Sequence, residues 1–140
     1  MFRIQKRIIR IMTGSRSRDS CRKLFSHLNI LPLPSVYILS ILRFVMKYKE
    51  LLTMNNEIHQ HGTRQTNNFH FPPAKFKKYR SGVFYMGVKI YNSLPPLYNS
   101  LPPPTYIKVE FNNITKFETL LKKFLLKHTF YSLNDFYNSV

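Results

Sequence analysis

Hydrophobic positions recur at helical spacing in several stretches of this chain. Ile4, Ile8, Ile11 and Met12 fall on one side of a predicted helix, with Arg3, Lys6, Arg7 and Arg10 on the other. Gly14 then ends it, as glycine commonly does just past a helix C-terminus. A second, short helix is predicted over Ser20–Leu28, with Leu24, Phe25 and Leu28 inward. Ile30–Pro34 reads as an extended connector, because a residue before proline avoids the α region. Ser35–Leu52 follows as the longest predicted helix. Val36, Leu39, Phe44 and Val45 sit there among further apolar residues, so this helix calls for burial on several sides.

The pattern then changes. Met54–Ser81 is polar, Asn-rich and basic, with His59, His61 and His70, and reads as a long loop that is either functional or disordered. Val83–Met86 reads as a short strand and Gly87–Ser93 as a brief turn of helix. From Tyr91 the chain runs YNSLPPLYNSLPPP, the same hexapeptide written twice. Two copies are too few for a stacked-repeat architecture, and the prolines forbid a continuing helix or a central strand. A repeated partner-binding motif is one reading; a surface loop lengthened by local duplication is the simpler one. Thr115-Lys-Phe-Glu118 has the form of a capping box, in which threonine and glutamate each satisfy a free amide at a helix start. Phe117, Leu120, Leu121, Phe124 and Leu125 form one apolar stripe behind it, with Lys116, Lys122, Lys123 and Lys127 elsewhere. A final turn is predicted over Ser132–Tyr137. The expected fold is mainly α: four to five helices, at most a short β-hairpin, and a long flexible central loop. Three segments result: a helical segment 1–53, a basic polar linker 54–81, and 82–140 with the strand or turn, the Pro-rich loop and the amphipathic helix. Together they read as one partial domain.

Charge adds a partner class. The chain has 22 Lys and Arg against 6 Asp and Glu, a net +16, in 140 residues of which 44% are hydrophobic. Such an imbalance fits a polyanion, either nucleic acid or an anionic surface, while the apolar content allows a modest core. Val36–Met46, the longest apolar run, is interrupted by Ser40 and Arg43 and is far short of the ~20 apolar residues a membrane span needs. No transmembrane span is expected. Met1–Ser20 lacks the central apolar block of a signal peptide.

Candidate chemistry is sparse. Asp19 and Asp135 are the only aspartates, and no two acidic residues adjoin, so the clustered carboxylates of a two-metal site are missing. There is no phosphate-binding P-loop, no GxSxG elbow and no HExxH motif. His59, His61 and His70 have no fourth donor at a zinc-site spacing. Cys21, the single cysteine, stands near Arg18 and Arg22, where a reactive thiol and a packed side chain are the two readings. No catalytic residue, cofactor, metal or small-molecule ligand is assigned. No polymerase, nuclease or hydrolase activity is expected of this chain alone.

Several short blocks nevertheless resemble one family. Gln5-Lys-Arg-Ile-Ile-Arg-Ile-Met-Thr-Gly14 is similar to the QKRAIRIITG segment that follows the polymerase core in LINE-type, non-LTR retrotransposon reverse transcriptases of the jockey-like branch. Leu24-Phe25, Leu28-Asn29 and Ile30-Leu-Pro-Leu33 resemble the LF..LNILPL that comes next there. His59-Gln-His-Gly-Thr-Arg64 resembles the family's H.Y.TR, Ile90-Tyr-Asn-Ser-Leu-Pro95 its WN.LP, and Phe117–Leu126 its closing F...LK.FLL. The blocks stand in family order and cover nearly the whole chain. His61 departs from the family's tyrosine and Tyr91 from its tryptophan. The resemblance implies the thumb-side, C-terminal portion of an RNA-directed DNA polymerase, which helps hold template and primer. It implies that Met1 corresponds to an interior position and that the metal-holding aspartates lie outside this chain. One YNSLPP copy is then the family motif and the other a duplication.

Three functional readings follow. The first is a non-catalytic retrotransposon fragment that binds RNA or DNA. Arg3, Lys6, Arg7 and Arg10 on the first helix, with Arg64, Lys75, Lys77, Lys78 and Arg80, would meet phosphates. Phe76 and Tyr79 are interleaved with that second group and would stack on bases. The competing reading of the cluster is a solvated loop. The second is a small basic mitochondrial protein, since Met1–Ser20 is Arg-rich, Ser-bearing and amphipathic like a transit peptide. The third is a membrane-surface binder using basic amphipathic helices. The first reading places the chain in the nucleus or cytoplasm, the second in the mitochondrion.

Overall fold

A computed structural model describes residues 1–58, 68–73, 75–95 and 113–139. It is mainly α. In chain order the described helices are α1 (Phe2–Met12), α2 (Arg22–His27), α3 (Leu33–Lys47), α4 (Asn55–Ile58), α5 (Lys77–Arg80), α6 (Val83–Asn92), α7 (Ile114–His128) and α8 (Leu133–Ser139), with a 3₁₀ turn at Lys49–Leu51. The excess over the expected number comes from short helices such as α4 and α5, one turn each, which carry too few residues to show a period in sequence.

The central helix is α3, against which α1, α6 and α7 all pack. Ile38, Leu39, Ile41, Leu42, Val45 and Met46 are buried, whereas Val36, expected to be buried with them, stays 39% exposed and Phe44 is half-buried, so the burial is confined to one broad face. Its bounds differ from expectation at both ends. Leu33 and Pro34 join the first turn, where proline is tolerated because its missing N–H would have no partner there. The α-helix stops at Lys47, and the chain tightens into the 3₁₀ turn.

The expected strand at Val83–Met86 is instead the start of α6. Gly87, Val88, Ile90, Tyr91 and Leu94 are buried, spaced as one face of a helix. Gly87 does not break the helix; it brings it close to α3. A β-carbon there would stand 2.3 Å from Val45 Cγ2 and 3.4 Å from Ile41 Cγ2. Among the described residues there is no strand, only an isolated antiparallel bridge between Met54 and Phe69.

α7 buries Phe117, Leu121, Phe124 and Leu125, as its stripe requires, but the capping box does not form. Asn113 is the N-cap, its Oδ1 accepting from the Lys116 amide at 3.2 Å. Thr115 lies inside the first turn, and Glu118 turns away to Arg43 of α3. Their two hydrogen bonds, 2.6 and 2.7 Å, form a bidentate fork. A tertiary ion pair has taken the glutamate that the local rule assigned to the cap.

α1 is rotated from its expected orientation. The residue it buries is Ile9, with Phe2 half-buried in the same small core as Cys21 and Phe25. Ile4, Ile8, Ile11 and Met12 remain 62%, 50%, 71% and 62% exposed, so the predicted apolar stripe faces outward. Gly14, at φ +62°, closes the helix as predicted. The Ser15 amide reaches the Arg10 carbonyl at 2.9 Å and the Gly14 amide that of Ile11 at 3.2 Å, a Schellman motif. Asn29, at φ 54°, does the same for α2, through Ile30 N–H to Phe25 O and Asn29 N–H to Ser26 O.

Two amide side chains join segments distant in sequence. Gln5 donates to Leu31 O and accepts from Leu33 N–H, both at 2.9 Å. Asn92 accepts from Phe69 N–H and donates to Phe69 O, again both at 2.9 Å. Phe69 is thereby seated in the main core against Tyr91, with ring centroids 4.7 Å apart. Residues 59–67, which include much of the predicted loop together with His59, His61 and Arg64, lie outside the described residues. So does the second YNSLPP copy.

His128 at the end of α7 stacks on Phe130, and burial, then Lys127, pushes its pKa below the usual 6.5. The unfolded chain therefore takes up this proton first, and stability falls as pH drops below about 6.5. Glu118 is lowered chiefly by its bond to Arg43, and Asp135 chiefly by the Tyr131 amide. Their contributions are present above their unfolded values, 4.5 and 3.8, and disappear at lower pH. Urea unfolding between pH 7.5 and 5.5 is expected to show a loss that His128→Gln reduces. An unchanged slope in that variant would exclude His128 as the source.

Candidate nucleic-acid interface

The residues expected to meet phosphates divide into two groups by their surroundings. Lys75, Phe76, Lys77, Lys78, Tyr79 and Arg80 are all exposed. The one-turn helix α5 carries four of them, with Phe76 as its N-cap. So short a helix is marginal by itself. It is tied to α6 by the Gly82 amide on Tyr79 O at 3.0 Å and closed by Ser81 Oγ on Lys78 O at 2.7 Å. Just before it, Phe71 packs on Tyr85 of α6, centroids 5.2 Å apart.

Phe76 and Tyr79 stand three residues apart, so one helical turn sets them side by side. Their centroids are 6.2 Å apart and the planes 40° from parallel. Both stay open, at 68% and 69% exposure. Residues 77 and 78, between them in sequence, are lysines. No carboxylate of the described residues forms an ion pair with Lys75, Lys77 or Lys78; the ion pairs Glu118–Arg43 and Asp135–Arg22 lie on other elements. Two open aromatic faces beside unneutralised cations can stack bases while the ammonium groups hold the backbone.

The basic side of α1 behaves differently. Lys6 Nζ lies over the rings of Phe2 and Tyr131, 5.0 and 5.5 Å from their centroids. Arg10 donates through Nε and Nη2 to Asp19 O at 3.0 and 2.9 Å. These two side chains are engaged in holding the small core together. Arg3 and Arg7 remain exposed. α1 packs on α2 and α3 whereas α5 packs on α6, so the two basic groups are mounted on different parts of the helical frame.

Cys21 is 1% exposed within the small core, which favours the packed reading over the reactive one. No group of three or more His, Cys, Asp or Glu suited to a metal occurs among the described residues, and none of their helices is long and apolar enough to cross a membrane. Sequence reasoning missed Gln5, Asn92 and Arg22. Arg22 bonds Asp135 at 2.9 Å and lies 4.5 Å over the Tyr131 ring, joining α2 to the segment after α7. Gln5 and Asn92 did carry a signal, since each sits in a block of the family resemblance, and both bind this chain's own backbone. Comparison of the chain with protein-family models, curated proteins and solved structures finds no match.

Proposed function

We propose that this chain is a non-catalytic, thumb-side piece of a LINE-type reverse transcriptase that binds single-stranded nucleic acid through Lys75–Arg80. The observation that carries the binding role is the pairing of Phe76 and Tyr79 in the open, flanked by lysines that have no ion-pair partner among the described residues. The family assignment rests on the order of the sequence blocks. Arg3 and Arg7 extend the charge without forming part of the same cluster; Lys6 and Arg10 serve the α1 packing instead.

The test is titration of a labelled single-stranded RNA with the whole chain across a salt series. Each phosphate contact contributes a log–log slope of roughly −0.7, so four contacts give about −2.8. Changing Lys75, Lys77, Lys78 and Arg80 together to Glu is expected to weaken binding at least tenfold and flatten the slope. Phe76→Ala with Tyr79→Ala is expected to cost ~1–3 kcal/mol per stacked base and leave the slope nearly unchanged. Primer extension on the same RNA with Mg²⁺ is expected to show no incorporation above a no-protein control. RNA affinity that ignores the charge reversal would remove the cluster from the proposal.

A further inference from the structure

The outward row on α1 is unsuited to nucleic acid. Isoleucine and methionine side chains offer neither a stacking face nor a phosphate donor, and only an apolar environment gains by covering them. Ile4, Ile8, Ile11 and Met12 are each at least half exposed on a helix only 11 residues long, and Met1 precedes them at 93%. Single exposed apolar residues need no explanation, but a continuous row marks a contact surface.

What borders the row identifies its partner. Arg3 and Arg7 are exposed beside it, and Arg16 and Arg18 are exposed just past the helix end. Ile11 also forms one wall of a cleft of about 450 Å³ whose other walls are Arg7, Arg10, Ser15 and Ser17. Arg10 keeps Nη1 uncommitted there, because its bonds to Asp19 O use Nε and Nη2. Asp19 is the acidic residue nearest in sequence, and one of its oxygens accepts from the Arg16 amide. The surface thus combines an insertable apolar row, a cationic border and a cleft of arginines and serines, roomy enough for a phosphate, that shares Ile11 with the row.

We propose that the outer face of α1 docks on an anionic phospholipid bilayer. Ile4, Ile8, Ile11 and Met12 enter the acyl boundary, Arg3 and Arg7 meet headgroups, and the cleft receives a lipid phosphate. This is the binding mode of an interfacial helix, here mounted on a folded domain, with the opposite side of the helix occupied by Ile9 and its core. A second copy of the chain would also cover the apolar row, but it would bring another set of arginines against the first. Charge complementarity favours the lipid surface.

The experiment is co-sedimentation of the whole chain with vesicles of phosphatidylcholine alone and with phosphatidylserine added to about a third. Binding is expected only to the anionic vesicles and to weaken with salt, about fivefold per arginine removed from the border. Ile8→Asp and Ile11→Asp, both on the exposed face, are expected to weaken binding at least tenfold while the helical circular dichroism and RNA titration stay as in the parent. Equal binding to neutral vesicles would overturn the proposal. So would anionic binding that survives both aspartates, which would reduce it to unspecific charge attraction. Concentration-dependent dimerisation abolished by Ile8→Asp, without vesicle binding, would assign the face to a second copy instead. Loss of vesicle binding on reversing Lys75–Arg80, with the α1 variants unaffected, would place any lipid contact on the other cluster.

Discussion

Phe25→Ala is expected to lower the unfolding free energy by about 3–5 kcal/mol, the range for truncating a fully buried phenylalanine. Phe25 is 0% exposed and forms the small core with Ile9 and Cys21. Its ring lies 6.2 Å from those of both Phe2 and Tyr131, so its loss removes the common neighbour of α1, α2 and the segment after α7. This core is separate from the main one around α3, and α1 has few other anchors: the Gln5 bonds to Leu31 and Leu33, the Lys6 contacts and the Arg10 bonds to Asp19 O. The loss is therefore expected to appear first as local opening. Hydrogen exchange should speed up in α1 and α2 more than in α3, α6 and α7, with the global change read by urea unfolding. Leu24→Ala, at a half-buried position on the same helix, should cost less. Uniform acceleration across all helices would mean that the two cores unfold as one unit.

Gly87→Ala is the second large effect, and its sign runs against helix propensity. In an open helix the change stabilises by about 1 kcal/mol. Here the new methyl would stand 2.3 Å from Val45 Cγ2, and valine in a helix has little freedom to turn aside. Overpacking at such a contact costs about 1–3 kcal/mol, so a net loss is expected. The diagnostic is a double-mutant cycle with Val45→Ala. That substitution alone opens a void against Gly87, and the added methyl then occupies it. The double variant should be more stable than the sum of the two losses allows. Additive losses, or a stabilised Gly87→Ala, would show that α3 and α6 do not approach as closely as the 2.3 Å contact requires.

Both predictions concern features that periodicity could not supply. The apolar stripe of α7 was legible because Phe117, Leu121, Phe124 and Leu125 repeat at the helical period, and burial follows that period wherever a helix has one wet side. The stop after α1 was legible because Gly14 takes the left-handed conformation at little cost. α6 was misread at Val83–Met86 because three successive β-prone residues, Val83, Phe84 and Tyr85, outweigh the helical spacing when glycine at 87 is taken as a break. The close approach of α3 alone reveals why that glycine stays helical.

The candidate site divides in the same way. Sequence sufficed to pick out Lys75–Arg80 as cations interleaved with aromatics, since both the residue types and the spacing are local. Whether Phe76 and Tyr79 are open or packed depends on what surrounds α5, and that is a tertiary matter. On α1, sequence distinguishes an apolar side from a charged side but does not say which one the protein buries. Helix rotation is decided by the best available contacts, here Ile9 against Cys21 and Phe25 with Lys6 over Phe2 and Tyr131. One of those contacts, Lys6 over Tyr131, joins residues more than a hundred positions apart. No local pattern holds that information, and for that reason an isoleucine row that reads as core faces outward.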